Sequence, residues 1–510
     1  MEKNELNASL KTLAKSSIIV FFGLVLSKIF TYLYRIIIAR SYGPEVYGFF
    51  SLSLMVVGWF TVFSLFGLGE GVIRYISFYR GKNQQKQIEK TFIFSITFVT
   101  LSSILFGTLL FLFSPFIANT FFHSPDLIPF LRIFSFIVPL HAISHILSGT
   151  LRAFENISAH SFLTNIFQPF IRVLFLVALL FIGFGSAYSV GLSSVFSYLL
   201  LLVSSIWICR RYFGRFFSNF SKKNFRVNRE LLIYSYPLMF AAFFASLLGW
   251  IDIFLLGYLK NPGAVGLYDS ALPIAMLLTL PSFLFMQLFL PIASKEYSRG
   301  KHSIIKEISK QTGKWIFIIN VPILFFTIFF PKSLLNLLFG SGFVSSYPAL
   351  ILLSIGFFFF AQSEVAINLL GVAKKSKVRF LNIFVIFILD VILNLILIPK
   401  SSILFWDNST GIVGAALATM ISYIVYSAIT FIQAYHYTKI IPLRRKNILV
   451  LISGVISGAL LILAKSYIPI TTFTLIFLGI LFLLIYWTLI ILTKSLDRND
   501  LLIIRSVIKR

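Results

Sequence analysis

Apolar runs of twenty residues and more recur from one end of this chain to the other. A helix needs about 20 such residues to cross roughly 30 Å of hydrocarbon. Hydropathy divides the chain into fourteen apolar segments, the first over 16–39 and the last over 468–493. In lipid every backbone N–H and C=O must be satisfied internally, which leaves helices and closed barrels. Barrel strands alternate over about ten residues, whereas these runs are long and continuously apolar. The pattern predicts an all-α polytopic membrane protein of 14 transmembrane helices. Composition agrees: 58% of residues are hydrophobic and 60 are Phe, against about 45–50% apolar in soluble domains.

The positive charges orient these segments. With the N-terminus in the cytoplasm, thirty-four of the 44 Lys and Arg fall in connections on the cytoplasmic side. The opposite loops hold only Arg40, Lys260, Lys332, Lys400 and Lys465. Lys/Arg excess in short loops marks the cytoplasmic face, so both termini are expected inside, in a cytoplasmic (inner) cell membrane. The net charge of +27 therefore reflects membrane orientation, and nucleic acid is not an expected partner. The single Cys209 excludes a disulfide framework and a Cys-based metal cluster. The first apolar run is too long for a signal peptide and lacks a small-residue cleavage site. The tail from Leu501 to Arg510 alternates apolar and basic residues, and is expected to lie on the cytoplasmic membrane surface.

A duplication runs through the chain. Gly43-Pro44-Glu45-Val46-Tyr47-Gly48 follows segment 1, and Asn261-Pro262-Gly263-Ala264-Val265-Gly266 follows segment 7. Asn165-Ile166-Phe167 in segment 5 answers Asn382-Ile383-Phe384 in segment 11, and Ser197-Tyr198 answers Ser422-Tyr423. The first two offsets are about 218 residues. Two six-helix units follow, both starting on the same side. They form a parallel repeat about an axis along the membrane normal, a plan that places a substrate site between rocking lobes. The expected division is an N-terminal lobe over 1–225, a C-terminal lobe over 226–445, two extra helices over 446–494 and a cytoplasmic tail over 495–510.

Charges inside the segments are the chemical candidates. An ionised side chain at mid-bilayer costs roughly 2.5–3.5 kcal/mol, so it faces a cavity or a partner. Segment 1 carries Lys28, Thr31, Tyr32 and Arg35 on one helical face. Segment 5 repeats the spacing with Asn165, Gln168, Pro169 and Arg172. The acids are Asp252 in segment 7, Asp269 in segment 8, Glu364 in segment 10 and Asp390 in segment 11, with Asn394 a turn further on. In the repeat Arg35 corresponds to Asp252 and Arg172 to Asp390, which predicts a basic wall in one lobe and an acidic wall in the other. Two readings stand. Lys28, Arg35 and Arg172, with Asn165 and Gln168, bind an anionic substrate while Asp252, Asp390, Glu364 or Asp269 binds a coupling H⁺ or Na⁺. Alternatively the charges are structural ion pairs that hold one conformation.

Other charged residues read as structural. Glu70 and Arg74 are spaced to neutralise each other within a helix. His141 and His145 have the spacing of a helical zinc pair but lack a third ligand, so packing or cavity lining is expected and no metal site. Arg132 is placed to snorkel at the outer end of segment 4. Asn408-Ser409-Thr410 is a glycosylation sequon in an outer loop, meaningful only where such loops are glycosylated. No catalytic constellation appears, and no phosphate-cradling Gly loop. The outer loops are short and acid-poor, which argues against a polymerase or glycosyltransferase, and built-in ATP hydrolysis is excluded.

The stretch from Arg35 through Gly48, followed by Phe66-Gly-Leu-Gly-Glu-Gly-Val-Ile-Arg-Tyr75, resembles the polysaccharide biosynthesis membrane proteins, the Wzx-type O-antigen and repeat-unit flippases. Trp250-Ile-Asp-Ile-Phe-Leu-Leu-Gly257 and Gly411-Ile-Val-Gly-Ala-Ala-Leu-Ala-Thr419 extend the likeness over nearly the whole chain. These proteins belong to a superfamily of multidrug, oligosaccharidyl-lipid and polysaccharide exporters that includes the lipid II flippases. The resemblance implies a two-lobed bundle, a cationic cavity and alternating access. It implies transport of a polyprenyl-diphosphate-linked oligosaccharide to the outer leaflet, with no enzymatic activity and no cofactor beyond a coupling ion. Membrane lipids, and a polymerase and glycosyltransferases of the same pathway, are the implied partners. A cation-coupled multidrug-type antiporter is the competing expectation.

Overall fold

A computed structural model describes residues 2–218, 228–465, 472–493 and 495. The loop around 219–227 and the amphipathic tail over 501–510 lie outside the described residues. The chain is helical almost throughout, as apolar runs in lipid require. Two compact units, Met1–Gly266 and Leu267–Arg510, divide it.

The first unit starts with α1 (Glu2–Leu65), interrupted at Gly43, whose φ of 80° and ψ of −175° break the helix. Only glycine adopts this conformation cheaply, and Pro44 then sits where a new helix begins. The two halves of α1 are segments 1 and 2. Next come α2 (Leu68–Gly81), α3 (Gln85–Phe116), α4 (Leu127–Ser135), α5 (Ile137–Ala153), α6 (Ile157–Ser161), α7 (Gln168–Ile182), α8 (Ser186–Ser218) and α9 (Arg229–Leu259). A π-helical stretch, Phe162–Phe167, joins α6 to α7. Pro169 explains its position: without an N–H it cannot close the helical bond to the Asn165 carbonyl. The core gathers Leu68, Val72, Phe92, Ile146 and Leu151 with Cys209.

The contact boundary at Gly266 falls one helix later than the repeat boundary at 225/226. Helix α9 packs on α1 through aromatic pairs, Phe63–Phe243 at 4.7 Å and Trp59–Phe254 at 5.6 Å between centroids. The two copies of the repeated loop meet directly. A Cβ on Gly48 would overlap the Pro262 carbonyl, and one on Gly266 would overlap the Pro44 carbonyl. The contact is reciprocal, each motif using its glycine against the other's proline.

Helix α10 (Pro262–Met276) leads into the second unit, which continues with α11 (Leu280–Ser298), α12 (His302–Phe329), α13 (Pro331–Leu338), α14 (Tyr347–Val372), α15 (Ser376–Leu397), α16 (Ile412–Thr438), α17 (Asn447–Lys465) and α18 (Thr472–Leu492). Helix α14 is the buried centre of this unit and packs on α11, α12 and α16. The two extra helices sit on α12, with Leu461, Leu475 and Phe482 around Phe330. Tyr486 hydroxyl donates to the Ile318 carbonyl at 2.8 Å. Among the described residues twelve stretches are long and apolar enough to span a membrane. The first, Phe22–Gly81, contains the Gly43 break and holds two of the expected segments, and the shorter apolar helix Asn447–Leu463 is another. Large side chains such as Phe181 and Phe473 are 88% and 85% exposed, which suits a lipid-facing surface and no aqueous one.

A short hairpin pairs β1 (Ser402–Ile403) with β2 (Trp406–Asp407), Ile403 opposite Trp406. Asn408 beside it is fully buried. Its amide donates to the carbonyls of Leu397 at 3.0 Å and Lys400 at 2.8 Å, and accepts from the Gly414 N–H at 2.9 Å. The sequon asparagine is thus a cap that locks the loop onto α16. Ser409 donates to Asp407 from its hydroxyl and its backbone, and these bonds hold the Asp407 carboxyl below its usual range.

Candidate functional site: an arginine pair on an aromatic and hydroxyl scaffold

The Gly43 break returns the second half of α1 against the first, so that Tyr47 and Phe50 face Tyr34 and Arg35. Tyr34 is 1% exposed. Its hydroxyl donates to the Val190 carbonyl at 2.9 Å and bonds Ser193 and Ser194 hydroxyls at 2.9 and 3.0 Å. Those serines share a turn of α8, so Tyr34 ties α1 to α8.

Arg172 builds on that tie. Its Nε donates to Ser194 Oγ at 3.1 Å, and its guanidinium lies 4.3 Å from the Tyr34 ring centroid. The Phe50 ring lies 5.5 Å away on another side. Arg35 approaches the same Phe50 ring at 5.8 Å and donates from Nη1 to the Tyr47 hydroxyl at 2.9 Å. One phenylalanine ring thus serves two guanidiniums. Arg172 makes no ion pair among the described residues, and its buried Nη2 has no protein hydrogen-bond partner. An arginine held by stacking and one Nε bond keeps its outer N–H groups for an anion, and the planar fork suits phosphate oxygens.

The other expected residues take varied places. Gln168 is buried and donates to Ser197 Oγ at 3.1 Å, fixing α7 to α8. Asn165, in the π-helical stretch, donates to Ser161 Oγ at 3.1 Å. Lys28 is exposed two turns before Arg35 on α1. Asp252 is half-buried on α9, in the same compact unit as the arginines. Asp269, Glu364 and Asp390 lie in the second unit. There the same arrangement occurs twice. Asn368 donates to Glu364 Oε2 at 3.4 Å and to the Glu364 carbonyl at 2.8 Å. Asn394 donates to Asp390 Oδ2 at 3.3 Å and to the Asp390 carbonyl at 2.9 Å.

One local expectation is overturned. Arg74 does not pair with Glu70, which is exposed; its guanidinium lies 4.3 Å from the Tyr234 ring of α9. A π face brought in by a neighbouring helix displaces the in-helix partner. Arg132 sits over Phe111 at 5.5 Å. His141 packs 5.1 Å from the Tyr198 ring and 6.2 Å from His145. Sequence reading missed Tyr34, Tyr47, Phe50 and the α8 serines. The hydroxyl run Ser193-Ser194-Val195-Phe196-Ser197 on an apolar helix was the available signal, since such residues mark close helix contacts in membranes.

A model of the family described as "Polysaccharide biosynthesis protein" matches residues 13–297, more than half of the chain. The chain belongs to the polysaccharide biosynthesis protein family. A second model, MatE, matches residues 237–396. The chain is 25% identical over 501 residues to the "Uncharacterized membrane protein MJ1068" of Methanocaldococcus jannaschii, covering 94% of this chain and 95% of that one. It is 24% identical over 289 residues to the "Probable low-salt glycan biosynthesis flippase Agl15" of Haloferax volcanii, covering 55% and 57%. It is 23% identical over 494 residues to the "Stage V sporulation protein B" of Bacillus subtilis, covering 90% of each. Among solved structures, the fold is similar to a "Lipid II flippase MurJ, inward closed conformation", with TM-score 0.69 and 16% identity over 94% of this chain and 99% of that one. An inward-facing MATE family multidrug resistance transporter matches with TM-score 0.66 and 15% identity over 83% and 98%. The family member described here therefore has the same helical fold as these two transporters.

Proposed function

We propose that this family member is a flippase that moves a polyprenyl-diphosphate-linked oligosaccharide from the cytoplasmic to the outer leaflet by alternating access. The carrying observation is Arg172, an arginine in a membrane-spanning helix, braced by Tyr34 and Ser194 with Nη2 left over and with Arg35 at the same Phe50 ring. Two guanidiniums in low dielectric suit a diphosphate better than a neutral or cationic drug. The relative named a glycan biosynthesis flippase supports the substrate class. Lys28, Asn165 and Gln168 extend the substrate-binding face, the last two through their contacts with α6 and α8.

Asp252, Asp269, Glu364 and Asp390 are the candidates for binding a coupling H⁺ or Na⁺. The carboxylate–amide arrangement at Glu364 and Asp390 favours a role in which each acid is held in place by the amide one turn on. The Lys and Arg distribution supports an inner-membrane protein with cytoplasmic termini. A polymerase and glycosyltransferases of the same pathway would consume and supply the substrate. A second reading, cation-coupled export of small molecules, rests on the MatE match over 237–396.

The test is Arg172→Ala in cells that depend on this chain for surface glycan. Surface glycan should be lost, and the lipid-linked precursor should accumulate on the cytoplasmic side. Normal export would remove Arg172 from the mechanism. Intact glycan together with lost drug resistance would favour the antiporter.

A further inference from the structure

A second basic site lies in the other unit. A cavity of about 620 Å³ opens between the start of α12 and the connection from α16 to α17. That volume is in the usual range for ligand pockets, about 300–1,000 Å³. Lys306, Lys310, Lys439, Arg444 and Arg445 line it, with Glu307 as the single acid.

The walls are fixed by the protein. Arg444, only 17% exposed at its side chain, forms an ion pair with Glu307. The chain beside it is pressed onto α12 where Gly313 meets the Pro442 carbonyl, a contact that any Cβ would obstruct. Lys439 ends α16 in the left-handed region, at φ 56°, a conformation uncommon for a non-glycine residue. Glu307 offsets one charge of five, and Lys306 and Lys310 repel each other one turn apart on α12. The cluster therefore favours an anion.

The apolar rim narrows the class. Ile441 and Leu443 also line the cavity and are 43% and 38% exposed. Tyr435 and Tyr437, 50% and 41% exposed, stand at the same end of α16, where aromatic residues mark a membrane–water boundary. Cations beside an exposed apolar rim, at the cytoplasmic end of spanning helices, match the headgroup and upper chain of an amphiphile.

We propose that this cavity binds the phosphate headgroup of an anionic phospholipid of the cytoplasmic leaflet. The inference does not depend on the flippase reading, because its ligand is a membrane component and its residues are distinct from the arginine pair.

The full chain in nanodiscs tests it. Thermal unfolding is followed in phosphatidylcholine with and without phosphatidylglycerol, for the parent and for Lys306→Gln/Lys310→Gln/Lys439→Gln. Phosphatidylglycerol should raise the parent's Tm, and the triple variant should lose that rise. In detergent, a short-chain phosphatidylglycerol should bind the variant at least about tenfold more weakly, since each basic residue near an anionic surface contributes about 1 kcal/mol. Lys332→Gln, at the opposite side, should behave as the parent. The proposal is overturned by an equal rise in the triple variant, by no rise in the parent, or by a full rise with inorganic phosphate alone. Should the triple variant not fold, Arg445→Gln and Lys310→Gln are read singly by the same criteria.

Discussion

Arg172 has two supports that a lysine cannot use: a planar face on Tyr34 and an Nε–H for Ser194. Arg172→Lys keeps the charge and loses both. An ammonium over the ring keeps the cation–π attraction but not the planar stacking, while the lost charge-assisted hydrogen bond is worth about 1.5–3 kcal/mol. Flipping by Arg172→Lys should therefore fall at least about tenfold, read as the ratio of precursor to surface glycan. Activity equal to the parent would show that charge alone suffices. Asn408 makes the opposite kind of prediction, one of stability. Its three backbone bonds should make Asn408→Ala roughly 2–4 kcal/mol less stable, measured by unfolding in detergent. The folded protein should carry no glycan at this position, because the amide nitrogen is already committed to two carbonyls.

At the level of the element, the join between α6 and α7 sets where Arg172 lies relative to α8. Pro169 withholds one N–H, and the turn before it widens to the π form over Phe162–Phe167. Such bulges are frequent at functional sites. Pro169→Ala restores the donor, and a proline in a helix interior costs about 3 kcal/mol. Thermal stability should therefore hold or rise, while transport falls as the helix rewinds and turns Arg172 away from Ser194. A variant equally stable and fully active would mean that the π-helical turn has no part in aiming Arg172. The Gly43 break works in the same way at larger scale. It brings Tyr47 to Arg35 although twelve residues separate them.

At the scale of the molecule, the Lys and Arg pattern predicts that the Asn408 hairpin and the start of α12 lie on opposite sides of the membrane. Cys209 is buried, with its thiol toward the Leu147 carbonyl, so a Cys209→Ser background is suitable for labelling. Ser401→Cys should react with an impermeant maleimide from outside intact cells, and Ser303→Cys only after lysis. The reverse result would invert the topology and the direction of transport with it. Much of this architecture was legible in the chain because lipid leaves few choices. Long apolar runs had to become helices, and Arg172 stood out because a charge in hydrocarbon is costly. The repeated Pro-x-x-x-Gly loops were also legible, though not that each glycine would press against the other's proline carbonyl. Tyr34, Tyr47 and Phe50 were not legible, since 60 Phe and 21 Tyr offer no local mark of which ring a guanidinium will choose. Arg74 finds Tyr234 across the fold, although a carboxylate stood four residues away. The buried Asn408 and the packing of α9 with the first unit were equally hidden. By itself the sequence determined the helices, the repeat and the unusual charges, because the solvent imposes those locally. Only the tertiary structure decided which ring, hydroxyl or carbonyl each polar group meets, because such partners lie far apart in the chain and become neighbours through packing.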